Sequence, residues 1–280
     1  MREIDVPVGG GRTVHAYDSE AGPPGGLALI WHPGSPHTGT PLPPLLSAAT
    51  ERGIRLVTYA RPSYGTSTPF AGRNEASGAD DTARVADAFG VRRFAVMGYS
   101  GGGPPALACA ALHPDRVRAA VTFACLAPFT EEFDWYAGMA KDGAVRAARA
   151  GRAARRRYAD TDEFDRDTFT DADWAALAGE WGPLGEDAQR AERAGPDGLV
   201  DDDVALVSPW GFDLAAIAAP VLLVHGDEDR VGPYAHGEWL HRNIAGSRLW
   251  RRPGDGHVSV LNACADALDW LIAQAAASPR

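Results

Sequence analysis

The chain has 280 residues, of which 45% are hydrophobic and 23% charged. That is enough apolar material for a sizeable core and is not the composition of a disordered chain. A net charge of −10 lacks the cationic excess that a phosphate-binding surface needs, so nucleic acid is excluded as an expected partner. No stretch approaches the roughly 20 apolar residues that cross a bilayer, and MREIDVPVGGG has no apolar run behind its charges, so neither a membrane span nor a signal peptide is expected.

The first elements read as strands. Ile4 to Val8 alternates, Gly9-Gly10-Gly11 supplies a turn, and Thr13 to Tyr17 returns. Continuous apolar runs follow at Leu27–Trp31, Ile54–Tyr59, Phe94–Met97, Ala119–Phe123 and Pro220–Val224. Amphipathic stretches near 42–52, 76–89, 101–113, 234–243 and 259–275 predict helices between and after them. Buried strands alternating with helices, after an antiparallel start, predict an α/β fold with a mostly parallel central sheet covered by helices on both faces. Cys109, Cys125 and Cys264 sit in apolar segments at no metal-ligand spacing and read as buried free thiols of a reducing, cytoplasmic setting. One lysine among 27 basic residues matches the codon habit of a high-GC bacterial genome.

Between Leu126 and Phe212 the strand rhythm stops. The stretch is rich in Ala, Arg and Asp and carries Phe129, Phe133, Trp135, Tyr136, Trp174, Trp181 and Trp210. It reads as an inserted helical cap, residues 126–212, over a core formed by residues 1–125 and 213–280. The arginines at 146, 149, 152, 155, 156 and 157 have helical spacing and read as a solvated cap face paired with the acids at 160–173.

Gly98-Tyr99-Ser100-Gly101-Gly102 follows a buried strand and opens a helix. In a G-x-S-x-G turn the serine takes a strained conformation, so side chains at the flanking positions would collide with strand and helix. The turn lifts the hydroxyl above the sheet, with a positive helix end beneath. An oxyanion formed there needs two main-chain N–H donors. Gly101 is one candidate; in His32-Pro33-Gly34-Ser35-Pro36 the prolines have no N–H, which leaves Gly34 or Ser35, with Ser35 preferred. The loop His225 to Pro233 holds Asp227, Glu228 and Asp229 at a strand end. Asp229 is preferred as the acid and Asp227 is the fallback. Asp255 would have to fold back within one turn. His257, before the last helix, completes the order serine, acid, histidine. His32 and His225 read as hydrogen-bonded supports, and His37 is a candidate pocket residue. No H-x-H or H-E-x-x-H spacing points to a metal site.

Together these segments resemble the α/β-hydrolase superfamily, in its cap-bearing serine esterase and proline-iminopeptidase-like branch. The resemblance also rests on Arg61-Pro62-Ser63-Tyr64-Gly65-Thr66-Ser67, in which Ser63 replaces a common glycine. It implies Ser100, Asp229 and His257 as a catalytic triad, Ser35 and Gly101 as oxyanion donors, and no cofactor. Dehalogenases and epoxide hydrolases of this fold carry aspartate where Ser100 stands. The expected chemistry is hydrolysis of an ester, lactone or thioester of a small apolar molecule through an acyl-enzyme, with Tyr99, Phe129 and Trp135 as candidate substrate contacts. The alternatives are amide, carbon–carbon or cyanohydrin cleavage by the same triad, with Glu131, Glu132 or Asp134 holding a substrate amine, and a non-catalytic binding protein on the same fold. The expected partner is a small-molecule substrate; the sequence leaves a homodimer open.

Overall fold

Every apolar run forms a strand in the computed structural model, which describes residues 1–277. The strands are β1 (Arg2–Gly9), β2 (Arg12–Asp18), β3 (Ala28–His32), β4 (Arg55–Tyr59), β5 (Phe94–Tyr99), β6 (Val117–Phe123), β7 (Val221–Gly226) and β8 (Arg248–Arg252). They make one sheet in the order β1-β2-β4-β3-β5-β6-β7-β8. β1 and β2 form a hairpin across glycines with positive φ, β2 runs antiparallel to β4, and all other neighbours are parallel. β3, β5 and β7 are buried along their whole length, which is why they read as unbroken apolar runs instead of alternating ones.

Helices α1 (Pro43–Glu51) and α10 (Cys264–Ala277) cover one face of the sheet, and α2 (Glu75–Ala88), α3 (Gly103–Leu112) and α9 (Tyr234–Asn243) the other. α3 is buried from Gly103 to Ala111 because it lies under β5 and β6 with α2 against it. Full burial of one of its side chains, such as Leu107, contributes about 2 kcal/mol. Two predicted helices start differently from the expectation. Ser100–Gly102 and Ser259–Ala263 are 3₁₀ turns that tighten the chain before α3 and α10 begin.

Among the described residues between β6 and β7 there are helices and no strand: α4 (Gly143–Arg149), α5 (Arg152–Ala159), α6 (Asp171–Ala178), α7 (Gly182–Arg193) and α8 (Asp197–Val207). The arginine run departs from the expected pairing. Arg156 reaches Asp160, but Arg152 bonds Asp201 and Asp197, and the buried Arg155 bonds Asp203. The packing of α4 and α5 on α8 turns these side chains inward to its acids, away from the 160–173 stretch. The three cysteines are buried and unpaired. No helix among the described residues is long and apolar enough to cross a membrane.

Candidate active site

In an open parallel sheet the carboxyl ends of the strands face one crevice, and the loops that leave them can converge there. Here the loops after β3, β5, β7 and β8 do so.

Ser100 leaves β5 with φ 51°, a left-handed conformation that costs a non-glycine residue on the order of 1–2 kcal/mol. The neighbouring glycines explain how the turn closes. A Cβ on Gly98 would strike the Gly102 carbonyl and stand 2.9 Å from the Gly103 Cα, and one on Gly102 would strike the His32 carbonyl. Tyr99 is buried between the sheet and His257, its ring centroid 5.3 Å from the imidazole.

His257 Nε2 lies 2.9 Å from Ser100 Oγ, and His257 Nδ1 lies 2.8 Å from Asp229 Oδ2. The other carboxylate oxygen of Asp229 accepts from the main-chain N–H groups of Val231 (2.8 Å) and Gly232 (2.9 Å). A carboxylate at Nδ1 fixes the tautomer that leaves Nε2 unprotonated and able to accept the serine proton. Burial alone would raise the Asp229 carboxyl; the charge and hydrogen bond of His257 outweigh it and hold it below 3.8. Burial likewise disfavours the charged imidazole, but the Asp229 carboxylate and its hydrogen bond raise His257 above 6.5. Asp227, the fallback acid, instead bonds Arg251 and the Gly254 N–H. Asp255 bonds Arg252.

The loop after β3 folds over the elbow. Gly34 packs on Tyr99 and Ser100: a Cβ there would stand 2.9 Å from Tyr99 Cδ1 and 3.4 Å from Ser100 Cβ. A Cβ on Gly101 would stand 2.5 Å from Ser35 Oγ and 3.7 Å from the Ser35 nitrogen. The Ser35 N–H makes no hydrogen bond to another described residue, and Gly101 is the second residue of the 3₁₀ turn that Ser100 opens, where N–H groups lack helical acceptors. The structure therefore brings Ser35, Gly101, Ser100, His257 and Asp229 to one place. Phe129 and Trp135 belong to one aromatic cluster. They lie against each other and Tyr136, the Trp135 ring also meets His236, and the Trp135 indole donates to the Ala127 carbonyl. Among the described residues no ring contact or hydrogen bond links either to Ser100 or His257. Glu132 accepts from the Trp239 indole at 2.7 Å.

His225 acts as expected of a support: its Nε2 donates to the Gly232 carbonyl at 2.6 Å and stands 3.6 Å from Asp229. His32 meets that expectation at one nitrogen only, its Nε2 lying 3.8 Å from Cys109 Sγ. It is fully buried, its Nδ1 has no hydrogen-bond partner, and burial presses its pKa down to about 3. It is a packed neutral ring, edge-on to Tyr59. His37 is bound to Asp187, its Nδ1 at 2.7 Å, as part of the same buried contact that holds Thr38.

Three carboxylates of the inserted helices reach these loops, and sequence reasoning missed all three. Asp202 of α8 accepts from Ser35 Oγ (2.5 Å), Tyr64 (2.8 Å), Arg61 (2.7 Å) and Arg73 (2.5 Å). Arg61 also donates to the Pro33 and Gly34 carbonyls and to Ser35 Oγ. Burial works to raise the Asp202 carboxyl, and the two guanidinium groups drive it far below its usual range. Asp187 of α7 holds His37 and Thr38, and Asp173 of α6 holds the His257 loop. Only Asp173 had a local signal, because Thr170-Asp171-Ala172-Asp173 matches a capping box, and that box is formed.

Comparison with known proteins agrees with this architecture. Residues 27–263 match the family model described as alpha/beta hydrolase fold. The chain is 31% identical over 166 residues to a pimeloyl-[acyl-carrier protein] methyl ester esterase of Neisseria meningitidis, covering 55% of this chain and 48% of that protein. This chain thus spans about half the length of that relative. It is 25% identical to the mouse serine hydrolase BPHL across 87% of this chain and 77% of that one. The solved bromoperoxidase of Bacillus anthracis superposes with a TM-score of 0.76 at 23% identity, covering 97% of this chain and all of that one. The protein belongs to the α/β-hydrolase fold family, and its eight-stranded, mostly parallel sheet is the sheet of that fold.

Proposed function

We propose that this protein is a serine hydrolase that cleaves an ester, lactone or thioester bond of a small apolar molecule. The observation that carries the reading is the continuous chain Ser100 Oγ, His257 imidazole, Asp229 carboxylate, with links of 2.9 and 2.8 Å. In the proposed reaction Ser100 Oγ attacks the acyl carbon as its proton passes to His257 Nε2. The oxyanion accepts from the Ser35 and Gly101 amides, and the leaving alcohol or thiol takes the proton from His257. Water, deprotonated by the same nitrogen, then releases the acid and restores Ser100. Esterase and serine hydrolase relatives support this class of chemistry. No cofactor enters any step.

In the same reading residues 126–212 serve as a cap over a core of 1–125 and 213–280, and the enzyme works in the cytoplasm on a small molecule. Tyr99, whose ring faces His257, is the substrate contact with the best structural support. The placement of Phe129 and Trp135 favours a packing role for both. The test is turnover of short-chain p-nitrophenyl esters by the wild-type chain and by Ser100→Ala. If the triad acts as a unit, the substitution lowers kcat by roughly 10⁶. Activity that survives it ends the proposal.

A further inference from the structure

The loop that carries His257 is held from two sides, and the second side is the inserted segment. On the core side the Asp227 N–H donates to the Arg252 carbonyl and the Glu228 N–H to the Asp255 carbonyl. Beyond Asp255 the hold passes to α6. Asp173 Oδ1 accepts from the Val258 N–H (2.7 Å), the Ser259 N–H (2.7 Å) and Ser259 Oγ (2.9 Å). Its Oδ2 accepts from the His257 N–H (3.1 Å) and the Thr170 N–H (3.0 Å). Ser259 Oγ in turn accepts from the Gly256 N–H at 2.7 Å. Four consecutive amides, from Gly256 to Ser259, thus depend on one buried carboxylate and the hydroxyl it holds.

The fit is built from both partners. Gly256 has no side chain where a Cβ would strike Asp173 Oδ2 and stand 2.7 Å from Thr170 Oγ1. The carboxylate is 1% exposed, a placement that costs several kcal/mol unless its oxygens are saturated with hydrogen bonds, as they are here. Asp173 does not touch Ser100 or the imidazole nitrogens, so it can act only through the loop.

We propose that Asp173 is a positioning residue for His257: α6 of the cap supplies the clamp that aims the base, so a seated cap is a condition of catalysis and not merely a roof over the substrate. This rests on the reading of Ser100, Asp229 and His257 as a catalytic triad. A base displaced by about 1 Å costs on the order of 10² in rate. Lifting α6 away strips acceptors from the amides on either side of His257, so cap movement and loss of base alignment are one event.

The test compares wild type, Asp173→Asn, Asp173→Ala and the control Asp171→Asn, which changes the same charge on the exposed first residue of α6. Asparagine keeps an acceptor for Val258 and Ser259 but turns an N–H₂ group towards the His257 and Thr170 amides. In Asp173→Asn, kcat on a p-nitrophenyl ester falls about 10²-fold while KM changes far less. Its acid limb in kcat/KM moves to lower pH, because the Asp173 charge adds to that of Asp229 in keeping His257 protonated. Hydrogen exchange reads the clamp without any substrate. The amides of residues 256–259 exchange at least about tenfold faster in Asp173→Ala, while those of β5 stay protected and report an intact core. Asp171→Asn matches wild type in both measurements. Unchanged turnover in Asp173→Asn overturns the proposal, and so do amides that stay protected in Asp173→Ala. A wild-type chain without ester turnover or Ser100 labelling sinks the triad reading itself, and the clamp's catalytic role with it. An active wild type beside an unaffected Asp173→Asn sinks the clamp alone.

Discussion

Gly101 and Ser35 pack against each other with no room for a Cβ on Gly101, which would stand 2.5 Å from Ser35 Oγ. The hydroxyl cannot easily retreat, because it donates to Asp202 and accepts from Arg61. Gly101→Ala therefore pushes the loop after β3 away from the elbow and moves one of two amide donors. Removing one such donor typically costs on the order of 10²–10³ in turnover. The expected result is a loss of that size in kcat, read by ester assay, together with a lower thermal midpoint, read by calorimetry.

Asp229→Asn tests the tautomer argument. The asparagine oxygen can still accept from Val231 and Gly232, so the loop keeps its shape. The side-chain N–H₂ then faces Nδ1, which favours the imidazole with its proton on Nε2, where it can no longer accept from Ser100. The expected fall in kcat is on the order of 10⁴, with a circular dichroism spectrum like that of wild type.

The pH profile follows from the direction of the His257 shift. Burial works against the imidazolium, yet Asp229 and its hydrogen bond raise the pKa above 6.5. Only the neutral ring can take the Ser100 proton, so kcat/KM rises with pH and reaches half its plateau above pH 6.5. Replacing Asp227 removes an acid that bonds Arg251 and not His257, so Asp227→Asn leaves that midpoint in place. A midpoint well below 6.5 in wild type contradicts the assignment.

Arg61→Met tests stability and chemistry together. It strips the guanidinium from the Pro33 and Gly34 carbonyls and from Asp202, which keeps Arg73 and Tyr64. Breaking a buried pair by removing one partner costs on the order of 3 kcal/mol, read as a lower midpoint in urea. Turnover falls as well, because the same residue holds the loop that bears Ser35.

What the sequence made legible was local. Strand runs, the Gly98–Gly102 turn and the strand-end loops are contiguous patterns whose geometry follows from a few neighbouring residues, and the strands, the elbow and the order of the loops could be read from them. The clamps could not. Asp173, Asp187 and Asp202 are 84, 150 and 167 residues away in sequence from the partners His257, His37 and Ser35, and an aspartate on a helix looks the same whether it faces water or a loop. The arginine run failed for the same reason: periodicity shows that Arg152 and Arg155 share a helix, not that α8 lies against it. Burial of aromatic residues in the 126–212 stretch is equally mute about direction, as Trp135 shows by bonding the Ala127 carbonyl.

Reaction with a fluorophosphonate probe, located by mass spectrometry of the peptides, tests the central claim most directly. An alcohol activated by His257 and aimed at two amides predicts a single phosphonylated residue, Ser100, with labelling that nearly vanishes in His257→Ala. A folded wild-type chain that stays unlabelled at Ser100, or that labels as fast without the imidazole, contradicts the account.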